Sequence, residues 1–269
     1  MKTKNMLFFS LLLLGFGLSS CNRENADWTF EQDNAVSSEL FQDLYKQIDE
    51  TGQSEGSLKN CSNITISDTV RGSFPKTVTI DFGTGCSVGG RTRSGVITAI
   101  FTGRWRDAGT NITVTLNNYK VNQYSVQGTA TFTNNGLNNN GNLNYTVSFA
   151  NGVIRDTTNN QTLSWSGTKN YEMVAGQNTD FATNGVAGIE DDIYHITGSA
   201  SGVNRNGTPF TAQITERLVR DMSCKWITDG TIEMTPQNGS TRTLNFGDGA
   251  CDANVSFSYR RWTFNFLLP

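Results

Sequence analysis

Imidazole chemistry in this chain rests on one residue, His195, within Ile193-Tyr194-His195-Ile196. The acidic run Glu190-Asp191-Asp192 lies just before it, and together they offer an acid–base pair or a cation site. No Gly-x-Ser-x-Gly elbow accompanies the histidine, so the run reads as a solvated acidic turn entering a strand. Asp81-Phe82-Gly83 spells the magnesium triplet of kinases without their glycine-rich loop or catalytic loop, and Gly83 and Gly85 read as turn residues. Asp248 and Asp252 lack the alternating spacing of a calcium loop. A carboxylate pair acting on a polysaccharide needs no histidine, but its members are distant in sequence and spacing does not locate them. No catalytic residue, metal ligand or cofactor is therefore assigned. Trp105, Trp165, Trp226 and Trp262, with Tyr119, Tyr124 and Tyr145, offer an aromatic platform for a glycan. Their competing use is core filling, which alternating strands favour for at least two of the four tryptophans.

The five cysteines divide by position. Lys2 and Lys4 precede an apolar run, Met6–Leu14, too short to span a bilayer. The run leads to Leu18-Ser19-Ser20-Cys21, which resembles the bacterial lipobox. Residues 1–20 then form a removed lipoprotein signal peptide, and Cys21 carries acyl chains such as palmitate. Several chains anchor firmly, at roughly 0.8 kcal/mol per buried methylene. The remaining Cys61, Cys86, Cys224 and Cys251 read as two disulfides in an oxidising compartment. Thr77–Cys86 aligns with Thr241–Cys251 with one inserted residue, so 61–105 and 224–262 form a weak internal repeat. That favours Cys61–Cys86 and Cys224–Cys251, each closing a hairpin of about 26 residues for roughly 3–4 kcal/mol. Zinc would prefer cysteines two to four residues apart.

The elements that position these residues are mostly strands. Residues 21–33 read as a polar tether. From 34 to 52 the period is helical: Val36, Leu40, Phe41, Leu44, Tyr45 and Ile48 share a stripe, with Asp33 or Asn34 as cap and Gly52 as stop. Such a helix is expected to cover one edge or end of a β-domain spanning 61–269. There, apolar residues alternate with polar ones, as in Val78/Ile80/Phe82, Ile112/Val114/Leu116, Tyr145/Val147/Phe149, Leu163/Trp165, Phe210/Ala212/Ile214 and Trp262/Phe264/Phe266. Glycine and asparagine clusters punctuate them. The expected fold is all-β and mainly antiparallel, a sandwich or large curled meander with one short N-terminal helix. An outer-membrane barrel is rejected, since the apolar positions per strand are too few for a lipid-facing band.

Composition agrees: 17% charged residues, 27 Gly and 29 Asn argue against a helical bundle, and a net charge of −3 removes the basic footprint of a nucleic-acid binder. Without residues 1–20 the balance is 19 basic against 24 acidic side chains, or −5. The lipobox, the Phe-Gly-x-Gly-Cys and Phe-Gly-Asp-Gly-Ala-Cys-Asp segments, Ile196-Thr197-Gly198-Ser199 and Cys224-Lys225-Trp226-Ile227 together resemble uncharacterised envelope lipoproteins of Bacteroidetes-type bacteria. That resemblance implies a β-rich fold and an envelope address, with lipid anchoring at the outer membrane, and carries no activity. It also implies O-glycosylation at Thr69 and Thr157, in Asp68-Thr69-Val70 and Asp156-Thr157-Thr158. The expected role is non-catalytic, as a surface-interaction or structural module contacting another envelope protein, or as a glycan-binding one.

Overall fold

The computed structural model describes residues 29–57, 61–70 and 72–268. After helix α1 (Thr29–Gln53) come strands β1 (Asn63–Ile66), β2 (Lys76–Asp81), β3 (Cys86–Val88), β4 (Arg91–Phe101), β5 (Asn111–Val121), β6 (Tyr124–Leu137), β7 (Leu143–Asp156) and β8 (Thr162–Ala175). Two single-turn helices follow, α2 (Phe181–Asn184) and α3 (Ala187–Glu190). The chain finishes with β9 (Ile193–Val203), β10 (Pro209–Asp221), β11 (Asp229–Pro236), β12 (Arg242–Asp248), β13 (Asn254–Tyr259) and β14 (Trp262–Leu267). The connectivity is that of the meander: one antiparallel sheet in sequence order, with β3 a side branch on β4. Asn122 and Asn160 take left-handed backbone at the turns, where asparagine is better tolerated than other side chains. Within β4, Gly95 also has positive φ, and a Cβ there would lie 2.2 Å from the Asn118 carbonyl oxygen, so the bulge between β4 and β5 requires glycine.

The helix does not cover an edge of this sheet. It lies inside, and the sheet wraps it: α1 side chains contact β4, β5, β8, β9, β12 and the β9–β10 turn. Eighteen of its 25 residues are buried, including Glu31, Asp33, Glu39, Gln42, Asp43 and Asp49 on the face expected to meet water. Its bounds are also wider than expected. Asp33 and Asn34 are internal, with Asn34 Nδ2 donating to the Phe30 carbonyl, and Gly52 lies in the last turn rather than ending the helix. The chain leaves α1 through Gly56, at positive φ, whose N–H donates to the Thr51 carbonyl.

An acidic helix is tolerated there because the sheet presents arginines to it. Arg91 bridges Glu39 and Asp43 at 2.9 and 3.0 Å, and Arg93 clamps Asp43 with Nε at 2.9 Å and with Nη2. Arg205 pairs with Asp33, and Arg242 with Glu31 at 2.7 Å. Between these pairs the apolar stripe packs on inward-facing rings: Tyr45 stacks on Tyr171 at 4.0 Å, and Phe41 meets Phe149 and Trp165 at 5.7 and 5.2 Å.

Disulfides tie Cys61 to Cys86 and Cys224 to Cys251, with Cα atoms 5.4 and 5.7 Å apart. The first closes the open end of the β1–β2 hairpin and the second that of β11–β12, the two segments aligned in the sequence. No helix among the described residues is long and apolar enough to cross a membrane.

Candidate functional site

Where α1 ends, the sheet opens into a cleft of about 210 Å³. Ile66, Phe74, Val78, Phe101 and Trp105 give it apolar and aromatic walls, and Thr51, Gly52 and Thr69 line it beside them. A Cβ on Gly52 would stand 3.0 Å from the Trp105 ring, so glycine is what lets that indole lie against the helix. The indole Nε1 is buried with no hydrogen-bond partner among the described residues. Lys76 and the Arg104–Glu55 pair, 3.6 Å apart and half exposed, supply charge; an ion pair that open contributes little stability. The volume exceeds the roughly 150 Å³ that accommodates a benzene ring.

A second polar cluster lies under the same end of the helix. Gln53 Nε2 donates to Asp49 Oδ2 at 3.0 Å and to Asp192 Oδ2 at 2.7 Å, so two carboxylates share one amide. Tyr194 donates its hydroxyl to Asp49 at 3.1 Å, and Arg106 donates to the Gln53 side-chain Oε1 at 2.8 Å and to Asp192 at 3.3 Å. Burial pushes both carboxyls up, Asp192 to about 6 and Asp49 well above its ordinary value, with repulsion from Asp192 adding to the latter. The pair is thus suited to holding a proton at neutral pH. Both aspartates are fully buried, and neither lines the cleft.

His195 faces outward from β9, opposite Glu172 and Val219 on the neighbouring strands, while Asp192 points inward three residues earlier. The run and the histidine are therefore not brought together. Burial and Arg217 lower the His195 pKa. Glu172 accepts hydrogen bonds from Asn138, Asn140 and Asn142, which hold its carboxyl below the usual range. No group of three or more His, Cys, Asp or Glu side chains able to hold a metal exists among the described residues.

The tryptophans form no common platform. Trp105 and Trp165 are core, as expected for at least two; Trp226 is half-buried beneath Lys225; Trp262 is 59% exposed on edge strand β14. Only Trp105 of the four borders the cleft. Thr69 is exposed and lines it, while Thr157 is exposed with its hydroxyl donating to the Gln123 carbonyl at 2.8 Å. Cys21 and the signal segment lie outside the described residues.

The interior cations were missed from sequence, although a signal existed. Arg91 and Arg93 share strand parity with Ile97, Ala99 and Phe101, and Lys169 with Tyr171 and Met173, so alternation alone places these charges inward. Lys169 is 3% exposed, with its ammonium 4.9 Å from the Phe41 ring and 5.6 Å from Trp165 and no hydrogen-bond partner among the described residues; burial pushes its pKa down to about 8. Comparison with protein-family models, curated proteins and solved structures gives no match.

Proposed function

We propose that this chain is a lipid-anchored envelope protein, held at an outer membrane through Cys21, and that it acts as a non-catalytic surface-interaction or structural module. The cleft carries the non-catalytic part of this reading. Its walls are apolar and aromatic, its charges are a lysine and a solvent-exposed ion pair, and the sole histidine and the Asp49–Asp192 pair lie elsewhere. Such a surface favours holding a ligand over turning one over.

Glycan binding is the second reading, favoured by the half-buried Phe74 ring and the exposed Thr69 in one cleft, whose floor is the buried Trp105 indole. Cys21→Ser tests the anchor: the variant should take up no labelled palmitate and leave the membrane fraction, and retention there with no loss of label overturns the lipoprotein reading. A glycan panel tests the cleft. Binding that Thr69→Trp abolishes supports the glycan reading, and no binding removes it in favour of surface contact. Turnover of a polysaccharide that a single carboxylate substitution abolishes would overturn the non-catalytic reading.

A further inference from the structure

The two ends of the sheet carry opposite charge. At the end where α1 begins, Asn206 Nδ2 donates to the Thr29 hydroxyl at 3.2 Å, Arg205 joins Asp33 to Gln161, and Thr157 N donates to the Gln123 carbonyl. Arg242 pairs with Glu31 and lies over the rings of Phe30 and Tyr259 at 5.2 and 4.8 Å. These contacts gather the β5–β6, β7–β8, β9–β10 and β13–β14 turns around the start of the helix. The exposed charges there are Lys120, Arg155, Arg260 and Arg261; Glu31 and Asp33 are buried in ion pairs, and Asp156 is half-buried. Around the other end of α1 the exposed acids are Glu55, Asp107, Asp180, Glu190 and Asp191, with Arg104 among them. Among the described residues four exposed cations, Lys120, Arg155, Arg260 and Arg261, thus gather at one end, while Arg104 lies among the acids and Arg217 on β10.

The same end presents an exposed indole. Trp262 is 59% exposed at the β13–β14 turn, with the Arg261 guanidinium 5.4 Å from its ring and Arg260 5.2 Å from that of Tyr259. Indole rings settle at the headgroup level of a bilayer, and arginines beside them pair with anionic phosphates. The chain preceding the helix enters here too. Seven residues lie between Cys21 and Thr29, so the eight steps reach at most about 28 Å.

We propose that this end of the protein docks on an anionic lipid surface, with Arg260, Arg261 and Trp262 as the contact residues. With that end docked, the acidic end faces away from the bilayer, together with the cleft. The inference rests on the lipid-tether reading for which end faces the membrane, so its test omits the lipid.

Every described element lies from Thr29 onward, and a chain beginning at Asn22 retains them all. It should sediment with vesicles of phosphatidylcholine and phosphatidylglycerol at 7:3 and not with phosphatidylcholine alone. Arg260→Gln with Arg261→Gln should weaken partitioning about 30-fold, from about fivefold per arginine near such a surface. Its thermal midpoint should stay unchanged, since both side chains are exposed. Trp262→Phe should lose the blue-shift of tryptophan emission on binding, and Asp107→Asn with Glu190→Gln at the opposite end should bind as the parent does. Failure to bind the anionic vesicles, or binding that the double glutamine variant leaves within twofold, overturns the proposal. Either result leaves the tether standing, which only the Cys21→Ser fractionation addresses.

Discussion

Asp43→Asn removes one charge from the centre of the helix–sheet interface and changes little else in shape. The parent carboxylate is fully buried and accepts hydrogen bonds from Arg91 Nη1 at 3.0 Å, Arg93 Nε at 2.9 Å, Arg93 Nη2 and the Tyr119 hydroxyl at 3.1 Å. Burial alone would raise its pKa, yet the two guanidiniums, Arg93 foremost, bring it down to about 2 from 3.8. That difference is about 2–3 kcal/mol in favour of the ionised fold. Because the folded value is the lower one, this stability is present above about pH 4 and is lost as pH falls through 2. Asparagine also leaves Arg93 buried without a counter-charge, so the total cost at pH 7 should reach about 3–5 kcal/mol. Guanidinium unfolding measures it, and Arg93→Met in the same chain should recover part of the loss, since the pair is then removed together. A cost under about 1 kcal/mol, or an acid limb between pH 4 and 2 as steep as the parent's, would refute this account of the interface.

Two further substitutions probe buried charges with the opposite electrostatic balance. The Asp192 carboxyl titrates at about 6 in the fold, above 3.8, so its contribution is full below about pH 4 and falls by about 3 kcal/mol as pH rises through 6. Asp192→Asn should flatten that limb and exceed the parent's stability at pH 7.5; a parent equally stable at pH 4 and 7.5 contradicts it. Lys169 sits near 8 against 10.5, so the parent should gain stability as pH rises from 8 to 10.5. Lys169→Met should remove that rise and stabilise the chain at pH 7 by on the order of 3 kcal/mol, and a variant no more stable than the parent at pH 7 fails the prediction.

What could be read from sequence was what local pattern encodes. Val78 and Ile80, Ile112 and Val114, and Tyr145, Val147 and Phe149 all face inward, as alternation required. The cysteine pairing followed from one aligned segment, because each bridge closes a hairpin whose strands are sequence neighbours. Alternation misled only at the chain's end, where Trp262 lies on an edge strand with no layer over it. The helix exposed the limit of this reasoning. Its stripe from Val36 to Ile48 is buried as expected, but the fate of the polar face depends on Arg91, Arg205 and Arg242, which no window around the helix contains. The cleft was invisible for the same reason, being assembled from the helix end, β1, β2, β4 and two loops.

The placement of α1 also imposes an order on biogenesis. The helix leaves the ribosome before any strand, yet Glu31 finds Arg242 only 211 residues later. Until the last third of the chain is made, its carboxylates have no complete set of guanidiniums, and a 25-residue segment this acidic gains nothing by burial. Early hairpins such as β5–β6 can form locally, but closure around the helix waits for β12, and long-range closure of this kind is slow. Nascent strand edges stay unpaired meanwhile, a state prone to aggregation. A chain truncated before β12 should therefore depend on a holding chaperone far more than the complete one.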